Sequence, residues 1–158
     1  MKKARLILSA SMLSIAAFSA VTFTSCSKDD DCAAGYEGKD CSEEIRAAMI
    51  GTYNATDVDV EDNTPYAYNP VVTKNTGSVT VINIANFGDF FTNTEIVTSN
   101  VTKSGNIITF TIPAQKPDDV YEVSGSGTFN TETKKVDIQY ALDNGIEIKN
   151  YTGTWTKQ

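Results

Sequence analysis

The sequence contains no histidine. That removes the side chain most often used as a general base near neutral pH and the commonest metal ligand. It also removes the usual partner of a serine or cysteine nucleophile. Cysteine is scarce, with Cys26, Cys32 and Cys41 the only three, and an odd count in an exported chain calls for an explanation. Positive charge is short as well: 13 Lys and Arg stand against 20 Asp and Glu, a net charge of −7. An acidic surface repels phosphate backbones, which argues against nucleic acid as a partner. The same charge disfavours simple electrostatic adhesion to anionic membranes and favours solubility. No comfortable membrane-spanning run exists either. The best stretch, Leu6 to Val21, is diluted by Ser9, Ser11, Ser14 and Ser19, whereas a spanning helix needs roughly 20 mostly apolar residues.

What the chain does have begins at its N-terminus. Met1 to Arg5 are basic, Leu6 to Val21 are apolar, and a small-residue region ends in Thr24-Ser25-Cys26. This order resembles a lipoprotein signal, with Phe23 where the usual box carries leucine. The resemblance implies a signal peptide over 1–25, removed before Cys26, with a diacylglyceryl group on the Cys26 thiol and often a further acyl chain on the freed amine. Lys2, Lys3 and Arg5 would leave with the signal, so the mature chain keeps 10 basic residues and carries −10. One acyl chain holds a protein only weakly, and two or three on one residue exceed that limit.

Directly after Cys26 comes Ser27-Lys28-Asp29-Asp30-Asp31. It resembles the short lysine-plus-acidic export signal of Bacteroidota surface lipoproteins. What that implies is an outer-membrane protein facing the cell exterior, handled by the lipoprotein processing and export machinery. The other reading of residues 26–31 is a solvated acidic tether. The three aspartates lack the alternate spacing and glycine turn of a calcium loop, so no metal is expected there.

Residues 32–41 read Cys-Ala-Ala-Gly-Tyr-Glu-Gly-Lys-Asp-Cys. They match the last loop of an EGF-like module, Cys-x2-Gly-aromatic-x-Gly-x2-Cys. The resemblance implies a Cys32–Cys41 disulfide, with Cys26 left for the lipid, and an oxidising compartment permits it. A whole EGF module has six cysteines, so none of its receptor or calcium binding carries over. Gly35 and Gly38 permit the positive φ of a tight turn. Closing so short a loop contributes about 2–3 kcal/mol at best, and the expected role is a stiff spacer.

Residues 42–158 form the expected β-barrel domain. Ser42-Glu43-Glu44 followed by Ile45 and Met49 has the signature of a short helix start. Beyond it the chain is rich in Thr, Val, Ile and Tyr, broken by Gly, Asn, Asp and Pro. Strand-like runs fall at 51–59, 66–74, 78–86, 94–103, 107–113, 120–130, 134–142 and 146–157. Val136, Ile138, Tyr140 and Leu142 alternate with Lys135, Asp137 and Gln139, and Ile108, Phe110 and Ile112 alternate with threonines. Such alternation means one buried and one wet face. Ser104-Gly105-Asn106 and Asp143-Asn144-Gly145 read as hairpin connectors. Ile146 and Ile148 share a parity that Tyr151 and Trp155 break, which predicts a bulge near Asn150.

Eight short strands with tight links predict an up-and-down antiparallel barrel, which removes exposed edges. The alternative is a β-sandwich. The short helix followed by Gly51-Thr52-Tyr53 resembles the opening of a lipocalin-like, or calycin, barrel, with Tyr53 where that superfamily carries tryptophan; Gly153-Thr154-Trp155 repeats the pattern. The whole order resembles a group of small Bacteroidota lipoproteins of unknown activity. Eight strands enclose side chains or one small ligand. Tyr53, Ile108, Phe110, Ile112, Val136, Ile138, Tyr140 and Leu142 are the expected inward set of a filled or narrowly hollow barrel.

The search for chemistry finds no catalytic constellation and no cofactor motif. Ser124-Gly125-Ser126-Gly127 lies inside a strand run and lacks the P-loop lysine, so small residues at a strand bend are the plainer reading. Asp118, Asp119 and Glu122 are conceivable glycosidase carboxylates, though a connector between strands is their simpler home. Asn54, Asn100 and Asn150 begin chance N-x-[ST] sequons. Two aromatic groups stand out: Phe87-Gly-Asp-Phe90-Phe91 in a predicted turn, and Tyr66 with Tyr68. They either plug the barrel or offer faces to a ligand. The expected function is a non-catalytic binding module for a small apolar molecule or glycan. The alternative is a structural or accessory lipoprotein acting through protein contacts.

Overall fold

The computed structural model describes residues 32–158. The signal over 1–25, the lipid-accepting Cys26 and the acidic run Lys28–Asp31 lie outside the described residues. The described chain begins with β1 (Tyr36–Glu37) and β2 (Glu43–Glu44), followed by a 3₁₀ helix, Ile45–Met49. Then come β3 (Gly51–Asp59), β4 (Pro65–Tyr68), β5 (Val71–Lys74), β6 (Val81–Ala85), β7 (Val97–Ser104) and β8 (Ile107–Gln115). β9 (Glu122–Asn130), β10 (Lys135–Asp143) and β11 (Ile148–Lys157) complete it.

Every pairing is antiparallel, and β11 returns to β3, from Tyr53↔Lys157 to Asp59↔Tyr151. That last ladder makes the sheet an eight-stranded closed barrel with one extra strand, β4, and excludes the open sandwich. The architecture is consistent with a lipocalin-like fold. β4 and β5 keep one register on β3, since Ala55 faces Tyr68 and Gly51 faces Val72. They are two halves of a single course broken at Asn69-Pro70. The Asn69 amide mends the break by donating to the Tyr53 carbonyl at 3.0 Å.

The period-two expectation holds along β8 and β10, where buried and more exposed residues alternate. All eight residues expected to face inward are buried. The interior is filled: the Trp155 ring lies 6.0 Å from Tyr53, 6.2 Å from Tyr68, 5.9 Å from Phe87 and 6.4 Å from Phe110, centroid to centroid. Ser124–Gly127 is part of β9. A side chain on Gly127 would fall on the Phe110 ring, so this glycine is what lets so large a residue lie across the barrel.

Two expectations are corrected. The helix led by Ser42 is only the 3₁₀ turn Ile45–Met49, and its N-cap residue is Glu44, with no side-chain cap. Glu43 and Glu44 are extended instead, paired with Glu37 and Tyr36. Because a 3₁₀ helix repeats every three residues, the buried pair is Arg46 and Met49, rather than Ile45 and Met49. There is also no bulge near Asn150, since the β10–β11 register runs unbroken from Lys135↔Thr156 to Asp143↔Ile148. Ile146 and Ile148 are simply exposed, at 96% and 56%, so the parity conflict does not arise. The register shift falls between Ile112 and Gln115 on β8.

The Cys32–Cys41 disulfide is formed, with Cα atoms 5.3 Å apart. Its loop is docked on the barrel rather than standing off as a spacer. The Ile45 N–H donates to the Gly35 carbonyl at 3.0 Å, Glu37 pairs with Lys103, and Gly35 lies against Val79 and Thr80. We call this end, with the 3₁₀ helix and the β5–β6, β7–β8 and β9–β10 connections, the base. The opposite end is the mouth.

Candidate functional site

The base is closed by one buried cation. Arg46 Nη1 donates to the carbonyls of Asn75, Ser78 and Val81 at 2.7, 2.6 and 2.7 Å, and Nε donates to Glu44 at 2.9 Å. Arg46 and then Lys74 hold the Glu44 carboxyl below its ordinary range. Above this plate the Tyr53 hydroxyl donates to the Met49 carbonyl at 2.6 Å.

Midway up the barrel is a polar cluster that the sequence reading missed. Asp57 is fully buried. It accepts from the Tyr68 hydroxyl at 2.6 Å, the Tyr140 hydroxyl at 2.9 Å and Trp155 Nε1 at 3.0 Å. A Cβ on Gly153 would overlap its carboxylate, so the glycine of Gly153-Thr154-Trp155 makes room for Asp57. Burial pushes the Asp57 carboxyl up, and the three donors pull it part of the way back. Burial, and next the nearby Asp57 charge, raise the Tyr68 and Tyr140 phenols. The available signal was parity: if Tyr53 points inward, period two places Ala55, Asp57 and Asp59 inward too.

The candidate ligand site is the mouth. A recess of about 220 Å³ is lined by Tyr66, Phe90, Tyr121, Leu142, Asn144, Glu147, Lys149 and Tyr151. Tyr66, Phe90 and Tyr151 form an aromatic triangle, with centroids 5.9, 5.4 and 6.1 Å apart. Tyr151 is stacked on Tyr140 at 5.0 Å, so the recess rests directly on the Asp57 cluster. Buried Asp59 anchors one wall, with Lys149 Nζ 3.3 Å from its Oδ2. Asp59 raises the Lys149 ammonium. The Tyr151 phenol is pushed up to about 12, by burial first and the Asp59 charge second, so it stays protonated at neutral pH.

The mouth loops are built on unusual backbone. Asn63, Asn86, Asp89 and Asp119 all have positive φ, between 53° and 61°. Asn and Asp tolerate this region better than other side chains. The loop holding Phe90 thereby turns sharply around Gly88, whose φ is 67°. Asp118 serves the β8–β9 connection by accepting from the Val120 and Tyr121 N–H groups at 3.0 and 2.8 Å. It thus builds a turn, with Asp119 beside it and Glu122 at the start of β9. The two aromatic groups divide: Phe87, Phe91 and Tyr68 are buried plugs, while Phe90 and Tyr66 face the recess.

Three broader depressions of about 290, 410 and 370 Å³ lie on the outer wall of β8–β11 and β3. They are shallower furrows along the wall, edged by residues such as Ser126, Thr128, Asp137, Gln139 and Thr152. The smaller mouth recess joins aromatic faces to converging polar groups, the usual make-up of a ligand site. Among the described residues, no three His, Cys, Asp or Glu side chains group as metal ligands, and no helix is long and apolar enough to cross a membrane. Compared with family models, curated proteins and solved structures, the chain matches none.

Proposed function

We propose that this chain is a lipid-anchored surface lipoprotein of the outer membrane, akin to small Bacteroidota lipoproteins with lipocalin-like barrels. In this reading it is a non-catalytic binding module, taking a small apolar molecule or the end of a glycan at the barrel mouth. The observation that carries the binding reading is the aromatic recess of Tyr66, Phe90, Tyr121 and Tyr151. Its position supports the anchored reading, because Cys32, where the described chain begins, belongs to the loop docked at the base. A tether from Cys26 would leave the mouth facing away from the membrane. With the interior filled by Trp155 and its neighbours, a ligand is held at the mouth rather than deep in the barrel.

Native mass spectrometry of the full chain from its own host tests the binding reading. The expected result is a small-molecule adduct that a Tyr66→Ala, Phe90→Ala double variant loses. Parent protein that stays empty both from the host and against a small-molecule panel would overturn it. The anchor is tested by Cys26→Ala, which should abolish fatty-acid labelling; undiminished labelling would remove the lipid from the proposal. Export is tested by replacing Lys28 to Asp31 with alanine. That variant should keep its lipid but become protected from protease added to whole cells, and unchanged cleavage would reduce the run to a linker.

One observation favours the accessory reading. Val60, Val120, Ile146 and Ile148 are all more than half exposed, at 52%, 57%, 96% and 56%, and lie in or beside mouth connections. An apolar rim of this kind suits a protein partner. Under that reading Ile146→Ser would weaken a protein complex while leaving small-molecule binding intact.

A further inference from the structure

Resting on the binding-module reading, we infer that the mouth recess takes a neutral, hydroxyl-rich ring, the terminal pyranose of a carbohydrate. The first argument is a division among the tyrosines. The hydroxyls of Tyr53, Tyr68 and Tyr140 are all engaged internally, by Met49 and Asp57. Those of Tyr66, Tyr121 and Tyr151 bond to no described residue, and none of them is a sealed, partnerless group, since only Ser99 Oγ has that status among the described side chains. All three residues, whose phenols both donate and accept, line one recess. Asn144 adds a donor, because its Oδ1 is occupied by the Ile146 and Glu147 N–H groups at 2.9 and 2.8 Å while its amide nitrogen is free.

The second argument is shape. The partly exposed rings of the lining are Tyr66, Phe90 and Tyr121, and they suit the C–H face of a sugar, which carries weak positive charge toward the negative face of an aromatic ring. At about 220 Å³ the recess falls below the roughly 300–1,000 Å³ of drug-sized sites, so it holds one ring or the end of a chain. An acyl chain has no path further down. Leu142 is buried in the recess lining, Tyr140 lies beneath Tyr151, and Phe87 packs 4.7 Å from Tyr140.

The third argument is charge. Among the described residues Lys149 is the sole cation lining the recess, and it is already paired with Asp59. Glu147 and Asp62 add their negative fields to it. The mouth is therefore net negative, and a carboxylate, sulfate or phosphate on the ligand meets repulsion there. A fatty acid or a uronate fits this recess worse than a neutral sugar.

The test is a titration of the full chain, held in a detergent without a sugar headgroup and followed by tyrosine ring NMR signals. The probes are neutral pyranoses (glucose, galactose, mannose and N-acetylglucosamine), then glucuronate, palmitate and indole. At least one neutral pyranose should bind saturably and shift Tyr66, Tyr121 and Tyr151, with glucuronate about tenfold weaker or more. A Tyr66→Phe, Tyr121→Phe double variant removes two hydroxyls and leaves the rings. It should weaken the sugar about ten- to a hundredfold, at about three- to tenfold per hydrogen bond, while its thermal unfolding stays unchanged. Palmitate, glucuronate or indole binding more tightly than every neutral sugar would overturn the inference and leave the binding-module reading standing. Failure of all seven probes at about 10 mM, where even weak sites fill, would overturn the inference and count against that reading as well.

Discussion

The base and the mouth of the barrel differ in what their polar atoms do. At the base, Arg46 is buried and bonded to three carbonyls and Glu44, and the Tyr53 hydroxyl is tied to Met49. At the mouth, three tyrosine hydroxyls and the Asn144 side-chain amide nitrogen have no partner among the described residues, and the turns carry four non-glycine residues at positive φ. Buried polar groups without partners are costly, so a closed end must satisfy its own, whereas an end that meets solvent or a ligand need not. The difference teaches that stability is concentrated in the base and interior, and binding capacity at the mouth. Each of the following substitutions tests one side of that division.

Phe110→Ala should have the largest effect. Phe110 is fully buried beside Trp155 and over Gly127, so truncation should cost about 3–5 kcal/mol, as for other core phenylalanines. Urea unfolding measures this directly. A loss under about 0.5 kcal/mol, typical of surface sites, would overturn the inward assignment.

Asp57 comes next, and it separates charge from hydrogen bonding. Asp57→Ala strands three buried donors at about 1–3 kcal/mol each, for an expected loss of about 3 kcal/mol or more. Asp57→Asn keeps an acceptor and removes the buried charge. Because the folded carboxyl is raised above its unfolded value, the neutral form is the one that favours folding. Its contribution is therefore complete below the unfolded value of about 3.9 and is lost as pH rises through the higher folded value. From about pH 4 upward the parent should lose stability relative to Asp57→Asn, a difference that unfolding curves at several pH values would show. A constant difference across that range would mean that Asp57 titrates as an ordinary carboxylate.

Arg46→Met should cost about 2–3 kcal/mol, because the carbonyls of Asn75, Ser78 and Val81 lose a buried donor. Hydrogen exchange should rise in the β5–β6 connection while the mouth amides are unaffected. Faster exchange at both ends would mean that the two do not behave as separate units.

The smallest stability effect belongs to the mouth. Tyr121→Ser removes a ring that is 36% exposed, and unfolding should move by less than about 0.5 kcal/mol while ligand affinity falls. A large destabilisation there would make the mouth part of the core and erase the comparison.

Several elements were legible from local pattern. The alternation of Ile108, Phe110 and Ile112 and of Val136 through Leu142 needs only neighbouring residues to be read, and the two-residue turn at Gly105-Asn106 is equally local. The 3₁₀ helix was misread because Glu43 and Glu44 are recruited into a strand pairing with Tyr36 and Glu37, a contact set by the disulfide loop. The false bulge near Asn150 came from treating Ile146 and Ile148 as core. They lie at the mouth, where apolar residues are exposed.

By itself, then, the sequence determined the strands, the facing of their best-patterned members and the short links between them, because period-two alternation and turn chemistry act over a few residues. Only the tertiary structure decided that β11 closes on β3, that Asp57 sits among Tyr68, Tyr140 and Trp155, and that the mouth gathers Tyr66, Phe90, Tyr121 and Tyr151. Those residues come from four separate parts of the chain and meet only because the barrel brings its alternate connections to one end. Whether a tyrosine hydroxyl is engaged or free depends on what lies across the barrel, and no local pattern carries that information.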